Sequence, residues 1–318
     1  MRGDENIFYS FASLFLGLLL LISGLFLLRF SLSQLLSPRI KTFLACHPLS
    51  TWQGFCLGII AATLLQSSTA VTLILLGFIS AGYLSFLESL SIILGANIGT
   101  CSTVQLFSIS FLPQNLLFTT FSILLAFIFA KILHLRKTAW IMAATFGLCT
   151  MFSGFYVLST GISEKTALAE SIAALLQTYD TPLAGILLGL ILTFLLQSSS
   201  AATILLIALA KNTSLSLAMA AYIVYGNNIG SCLSSLIVST TAPVSAKQAA
   251  FSHFFLNFLG ILFFLPLTPL LTNITSELFS DYPNQIAFIH TIFNFISSCL
   301  LIPFIKSYAK LIQILVPR

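Results

Sequence analysis

Charge is what this chain lacks most. Only 7% of its 318 residues are Asp, Glu, Lys or Arg, and 8 of them are acids. A soluble domain, in which about a quarter of residues are charged, could not cover its surface with so few. Histidine is as sparse, at 4. No motif supplies a paired acid and base, a nucleophile with a base in reach, or a metal-ligand cluster, so an enzyme is not expected. The six cysteines, Cys46, Cys56, Cys101, Cys149, Cys232 and Cys299, contain no Cys-x-x-Cys pair. Neither a zinc site nor a disulfide framework is indicated, and packing as small apolar residues is the expected role. A cleavable leader is not expected either: the first apolar stretch, Ile7 to Leu28, is longer than a signal-peptide core, lacks a small-residue cleavage pattern and reads as a retained helix.

What is present is apolar. With 58% hydrophobic residues and a mean hydropathy of +1.06, the chain reads as an all-α polytopic membrane protein. A spanning helix needs roughly 20 residues, which leaves room for about eight to ten elements, some too short to cross alone. The formal net charge of +5 comes from basic residues at helix ends, fits the positive-inside bias, and is no sign of nucleic-acid binding.

The chain also repeats itself. Leu64-Leu65-Gln66-Ser67-Ser68-Thr69-Ala70 returns as Leu195-Leu196-Gln197-Ser198-Ser199-Ser200-Ala201. Gly95-Ala96-Asn97-Ile98-Gly99-Thr100-Cys101 returns as Gly226-Asn227-Asn228-Ile229-Gly230-Ser231-Cys232, at the same offset of 131 residues. Gly54 and Gly58 match Gly185 and Gly189, while Gly17, Ser23 and Gly24 match Gly147, Ser153 and Gly154 one residue off that register. The duplication covers roughly 16–105 against 146–236. The expected organisation is a first membrane repeat over 1–137, a second over 138–272, and a C-terminal transmembrane helix with a short cytoplasmic tail over 273–318.

Charge suggests that the halves are inverted. The loop after the first helix holds Arg29, Arg39 and Lys41 with no acid, while its counterpart holds Glu164, Glu170 and Asp180 against Lys165. The positive-inside rule places these loops on opposite sides of the membrane.

Each Gln-Ser-Ser motif sits in the middle of an apolar run that is too long for one helix and too short for two full spans. A re-entrant helical hairpin with Gln66 or Gln197 at its tip fits that length. Helix-end N–H groups at such a tip favour an anion, and serine and threonine hydroxyls can donate to it. The same oxygens, with backbone carbonyls and the glutamine amide oxygen, can coordinate a cation. The glycine-flanked Asn97 and Asn228 are expected to break their helices and free carbonyl oxygens for sodium, with Thr100, Thr103, Ser231 and Ser234 facing the same cavity. The plainer alternative is interhelical hydrogen-bond glue, worth about 0.6 kcal/mol per group. Glue does not require two motifs to recur together at fixed spacing, whereas a duplicated site does. Cys101 and Cys232 recur too and are read as packing.

At these residues the chain resembles the sodium-dependent phosphate cotransporter family, whose hallmark is a pair of Gln-Ser-Ser-Ser motifs in inverted repeats, each followed by Gly-x-Asn-Ile-Gly-Thr. The resemblance extends into the tail, where Lys247-Gln248-Ala249-Ala250-Phe251-Ser252-His253 with Asn257, and His290-Thr291-Ile292-Phe293-Asn294, match the family's His-bearing segments. It implies that Gln66, Ser67, Ser68, Thr69, Gln197, Ser198, Ser199 and Ser200 line the phosphate and sodium sites between the repeats. Asn97, Thr100, Asn228 and Ser231 would serve sodium, and the spacing adds Thr103 and Ser234. Thr69 and Ser231 depart from the family pattern but keep a hydroxyl, and no His-x-x-x-Asn segment follows the first repeat. His253 and His290 are read as structural groups.

The resulting expectation is a sodium-coupled symporter of inorganic phosphate in a bacterial plasma membrane, working by alternating access, with sodium as coupling ion and no cofactor. Its partners would be phosphate, sodium and the lipid bilayer. Alternatives are a carboxylate or sulfate as substrate, or a non-transporting sensor subunit.

Overall fold

The computed structural model describes residues 11–28, 49–109, 136–161, 178–210 and 215–317, with isolated positions between them. Every regular element among these is helical. In the first half they are α1 (Phe11–Leu28), α2 (Thr51–Leu65), α3 (Ser68–Ser80), α4 (Phe86–Gly99) and α5 (Cys101–Ile109). There follow α6 (Arg136–Gly161), α7 (Pro182–Leu196), α8 (Ser199–Ala210) and α9 (Leu217–Ser239). The tail holds α10 (Val244–Phe264), α11 (Thr268–Leu278), α12 (Tyr282–Leu301), a 3-10 turn (Ile302–Phe304) and α13 (Ile305–Leu315).

The apolar runs Phe11–Leu28, Phe86–Ser108, Thr138–Leu158 and Tyr282–Leu315 are long enough to cross a bilayer, and α10 with α11 makes a further run bent by 82°. The protein is an all-α, multi-pass membrane protein. In contrast, α2, α3, α7 and α8 are 15, 13, 15 and 12 residues long. At about 1.5 Å per residue none of them traverses a hydrocarbon core of about 30 Å.

These short helices form two hairpins. Their outer ends are set by caps: Ser50 and Gln53 make a capping box on α2, and Thr181 with Pro182 starts α7. α2 runs parallel to α4, because Gly54 faces Ser91, Gly58 faces Ile92 and Gly99 faces Ile59. The Leu49 N–H also donates to the Glu88 carboxylate at the head of α4 (2.9 Å). Only a short connection separates the end of α3 from that same head, so α3 must run back along α2. The second repeat does the same, with Gly185 against Tyr222, Gly189 against Ile223 and Gly230 against Leu190.

Glycine allows these approaches. A methyl group built on Gly95 would overlap the Phe55 carbonyl oxygen, and one on Gly226 would overlap the equivalent carbonyl of Ile186. This corrects one expectation. In the first repeat α4 runs through Gly95 and Asn97, and Thr100 keeps helical backbone with its N–H on the Ala96 carbonyl before α5; in the second, α9 runs uninterrupted through Gly226 and Gly230. In both, the glycines serve close packing and do not break the helix.

The inversion is visible in α1 and α6. Gly17 lies against Gly154 and Leu158, and Gly24 against Gly147 and Met151. Gly17 is the repeat equivalent of Gly147, and Gly24 of Gly154, so the contact maps onto itself when the repeats are exchanged. Two equivalent helices that meet antiparallel in this way are related by a pseudo-twofold axis, which is the geometry of inverted repeats. Arg29, Arg39, Lys41, Glu164, Lys165 and Glu170, which suggested the same from charge, lie outside the described residues.

Candidate functional site

The two glutamines are where each hairpin turns. Gln66 ends α2 with φ 49° and ψ 35°, and Gln197 ends α7 with φ 52° and ψ 27°. Among the described residues these are the non-glycine positions with positive φ. Left-handed backbone disfavours a side chain, so its recurrence at equivalent tips marks a constrained turn. The next residue caps the returning helix: Ser67 Oγ accepts the Ala70 N–H (3.1 Å) and Ser198 Oγ accepts the Ala201 N–H (3.2 Å). Each hairpin therefore presents the N-terminus of a helix, with first-turn N–H groups that have no acceptor within the helix, at a tip rich in hydroxyls.

The tips meet the opposite repeat crosswise. α3 packs on α9, and α8 packs on α5. Thr69 Oγ1 donates to the Ser231 carbonyl oxygen (2.9 Å), joining the first hairpin to the second repeat. Ser67, Ser68, Thr69, Ser198, Ser199 and Ser200 are all buried. Gln66 is buried as well, whereas Gln197 is exposed. The Gln197 amide donates to the Phe194 carbonyl (2.5 Å), and its Oε1 accepts a short bond from Ser234.

The six residues expected to serve sodium are placed differently from one another. Ser234 meets Gln197 at the second tip. Thr100 Oγ1 donates to the Ala96 carbonyl (3.0 Å) and Ser231 Oγ to the Asn228 carbonyl (2.7 Å), so each hydroxyl keeps acceptor capacity. Thr103 Oγ1 is buried and has no partner among the described residues. Asn228 Nδ2 donates to the Val224 carbonyl (2.9 Å).

Asn97 belongs to a larger network. Its Oδ1 faces His253 Nε2 (3.0 Å), its Nδ2 donates to Asn257 Oδ1 (3.1 Å), and His253 Nδ1 faces Thr72 Oγ1 (3.1 Å). Asn257 Nδ2 in turn donates to Cys232 Sγ (3.1 Å). With the proton on Nε2, every donor from Thr72 to Asn257 finds an acceptor, and the chain crosses from the first hairpin to α9. Thr72, Asn257 and Cys232 are the site neighbours that motif reading left aside. The available signal was the His-x-x-x-Asn spacing, which puts both side chains on one face of α10.

The described acids Glu88 and Asp180 are bonded at helix ends away from this network. The Glu88 carboxylate takes the Leu49 and Ser85 N–H groups and the Ser85 hydroxyl, and Asp180 Oδ1 takes the Ser216 hydroxyl (3.4 Å). No charged residue occurs within the four motifs.

The chain is 29% identical over 306 residues to Uncharacterized protein YqeW of Bacillus subtilis, covering 94% of this chain and 96% of the relative. It is 25% identical over 298 residues to "Putative inorganic phosphate export protein YjbB" of Salmonella typhimurium, and 24% identical to the Escherichia coli K12 protein of that name. That alignment covers 92% of this chain and 53% of the Salmonella relative, so the chain spans about half the length of the export proteins. No solved structure matches at comparable significance. The family model for the Na+/Pi-cotransporter matches residues 19–160 and again 153–279. With well over half of its length matched, the chain belongs to the Na+/Pi-cotransporter family.

Proposed function

We propose that the protein carries inorganic phosphate across the bacterial plasma membrane, coupled to sodium, by alternating access around the two hairpin tips. The observation that carries this reading is the pair of left-handed glutamines, each followed by a serine-capped helix N-terminus, in inverted repeats. Phosphate would be held by the first-turn N–H groups of α3 and α8 and by hydroxyls of Ser67, Ser68, Thr69, Ser198, Ser199 and Ser200.

The absence of charge in the motifs gives a physical reason for coupling. An anion taken from water into this environment meets dipoles and hydroxyls but no lysine or arginine, so its charge stays largely uncompensated. A co-bound cation offsets that cost. Carbonyl and hydroxyl oxygens near Thr100, Thr103, Ser231 and Ser234, with the glutamine amide oxygens, are the hard ligands such a cation requires. Asn97 and Asn228 would contribute through the helices they hold in place. The unequal exposure of Gln66 and Gln197 fits a conformation open at one tip and closed at the other.

Radiolabelled phosphate uptake into proteoliposomes tests this, with an inward sodium gradient compared against potassium and choline. The reading requires sodium-dependent uptake that disappears in Gln197→Ala and is not competed by sulfate or succinate. Uptake unaffected by the cation would remove the coupling, and competition by succinate would move the substrate to a carboxylate. The name of the export relatives favours a second reading in which net flow is outward. Preloaded vesicles distinguish it by efflux into sodium-containing medium.

A further inference from the structure

The two repeats share their central residues but not their hydrogen bonds. The first repeat's network is closed, from Thr72 through His253, Asn97 and Asn257 to Cys232. A second His-x-x-x-Asn pair, His290 and Asn294, lies on α12, which packs on α5 and α8 as α10 packs on α9 and α3. The Cys101 thiol lies against the His290 carbonyl oxygen (3.8 Å) and beside Asn294, as the Cys232 thiol lies beside Asn257. α12 is thus the structural twin of α10, and each repeat has its own histidine, although both are encoded in the tail.

The twin network is open. Symmetry assigns Thr203 and Asn228 to His290, as Thr72 and Asn97 serve His253. Thr203 instead donates to the Ser199 carbonyl (2.9 Å) and accepts from Asn227 Nδ2 (3.1 Å), and Asn228 turns to Val224. His290 is fully buried, and neither ring nitrogen has a partner among the described residues, nor does Asn294 Oδ1. Two differences between the repeats account for this. Ala62 and Ala96 are replaced by Thr193 and Asn227, and Thr193 Oγ1 donates to Asn227 Oδ1 (3.0 Å), which holds the Asn227 amide on Thr203. The tips follow the same asymmetry: Thr69 is bonded to Ser231, while the equivalent Ser200 Oγ is buried without a partner among the described residues.

An imidazole with donor and acceptor both unpaired at membrane depth is costly, so a conformation that pairs it gains stability by doing so. We propose that His253 and His290 are used alternately. In this conformation His253 locks the first hairpin to α4. In the oppositely open one Thr203 and Asn228 turn to His290, and the His253 network opens. Both are positioning residues, each holding one hairpin against its helix in one of the two states. The inference rests on the alternating-access reading, but its test needs no phosphate.

Amide hydrogen exchange of the full chain in lipid nanodiscs, read on peptides spanning Gln66 and Gln197, provides the test. His253→Ala removes two buried hydrogen bonds and should raise exchange at the first tip and lower it at the second. A change in the conformer ratio of about sevenfold, the equivalent of about 1.2 kcal/mol, is expected. His290→Ala should move both tips in the opposite directions. Thr193→Ala combined with Asn227→Ala copies the first repeat, frees Thr203 for His290, and should act like His253→Ala. Opposite signs for the two histidines are not produced by general loosening of the fold. Both variants moving the tips alike, or His290→Ala moving neither, as expected if His290 merely holds a buried water, would overturn the proposal. Opposite signs in a protein that fails to move phosphate would leave this inference standing and remove the transport reading.

Discussion

Gln66 and Gln197 hold the same left-handed backbone at equivalent tips, with φ of 49° and 52°, yet the first is buried and the second is exposed and bonded to Ser234. Equal backbone with unequal surroundings separates what the turn requires from what the side chain contributes. The turn is a local property of each hairpin, whereas burial depends on how the repeats sit against one another.

Glycine at these positions should therefore dissociate stability from transport. Gln66→Gly or Gln197→Gly relieves a left-handed strain of about 1 kcal/mol while deleting the amide. The thermal midpoint by fluorescence-detected size exclusion is expected to stay level or rise, and phosphate uptake to vanish. A glycine variant that transports normally would show that the tips need only the turn.

The Thr69 hydroxyl bonded to the Ser231 carbonyl crosses between repeats (2.9 Å). Thr69→Val keeps the shape and removes the donor, leaving a buried carbonyl without that partner. A cost of about 0.6 kcal/mol is expected for such a bond in a membrane protein. Since the bond must break for the repeats to part, its loss should change turnover more than apparent phosphate affinity, and Thr69→Ser should restore the wild-type ratio. Equal effects of valine and serine would show that the hydroxyl plays no part.

Much of this was readable in the chain, for physical reasons that differ by feature. The hairpins followed from apolar length, and their tips from the placement of Gln-Ser-Ser in mid-run. The inversion was suggested by Arg39 and Glu170, whose structure is not described, but it rests on Gly17 against Gly154 and Gly24 against Gly147. Those glycines were visible as a repeat; that they touch their own equivalents was not, because a sequence carries no crossing geometry. Gly226 was misread as a helix breaker, since glycine at a close helix contact and glycine at a break look alike without the facing Ile186. His290 as the twin of His253 was hidden by topology: both helices follow the duplicated stretch, so the 131-residue offset that pairs the motifs does not pair the histidines.

Removing the serine caps should weaken both the hairpins and the anion site. Ser67→Ala and Ser198→Ala each leave a first-turn N–H without its acceptor, at a cost of about 1 kcal/mol. Under the proposed function the same turn of helix supplies the anion's donors, so the apparent KM for phosphate should rise in both. Threonine at either position should recover most of the stability. A destabilised variant with unchanged KM would place phosphate away from that helix end.

The glycines of the close helix pairs give the sharpest steric contrast. Gly95→Ala and Gly226→Ala drive a methyl group into the Phe55 and Ile186 carbonyl oxygens. A carbonyl in a helix cannot rotate away, so the helices must separate, and destabilisation of about 3 kcal/mol is expected. Gly77, on α3, has open space where its Cβ would stand. Gly77→Ala should therefore gain the helix propensity of alanine, about 1 kcal/mol, with no steric penalty. Measured side by side as thermal midpoints in one detergent, the first two substitutions should lower the midpoint and the third should raise it. Tolerance of alanine at Gly95 and Gly226 alike would mean that the α2–α4 and α7–α9 contacts are looser than the structure has them. The parallel packing that forces each hairpin to turn back would then lose its main support.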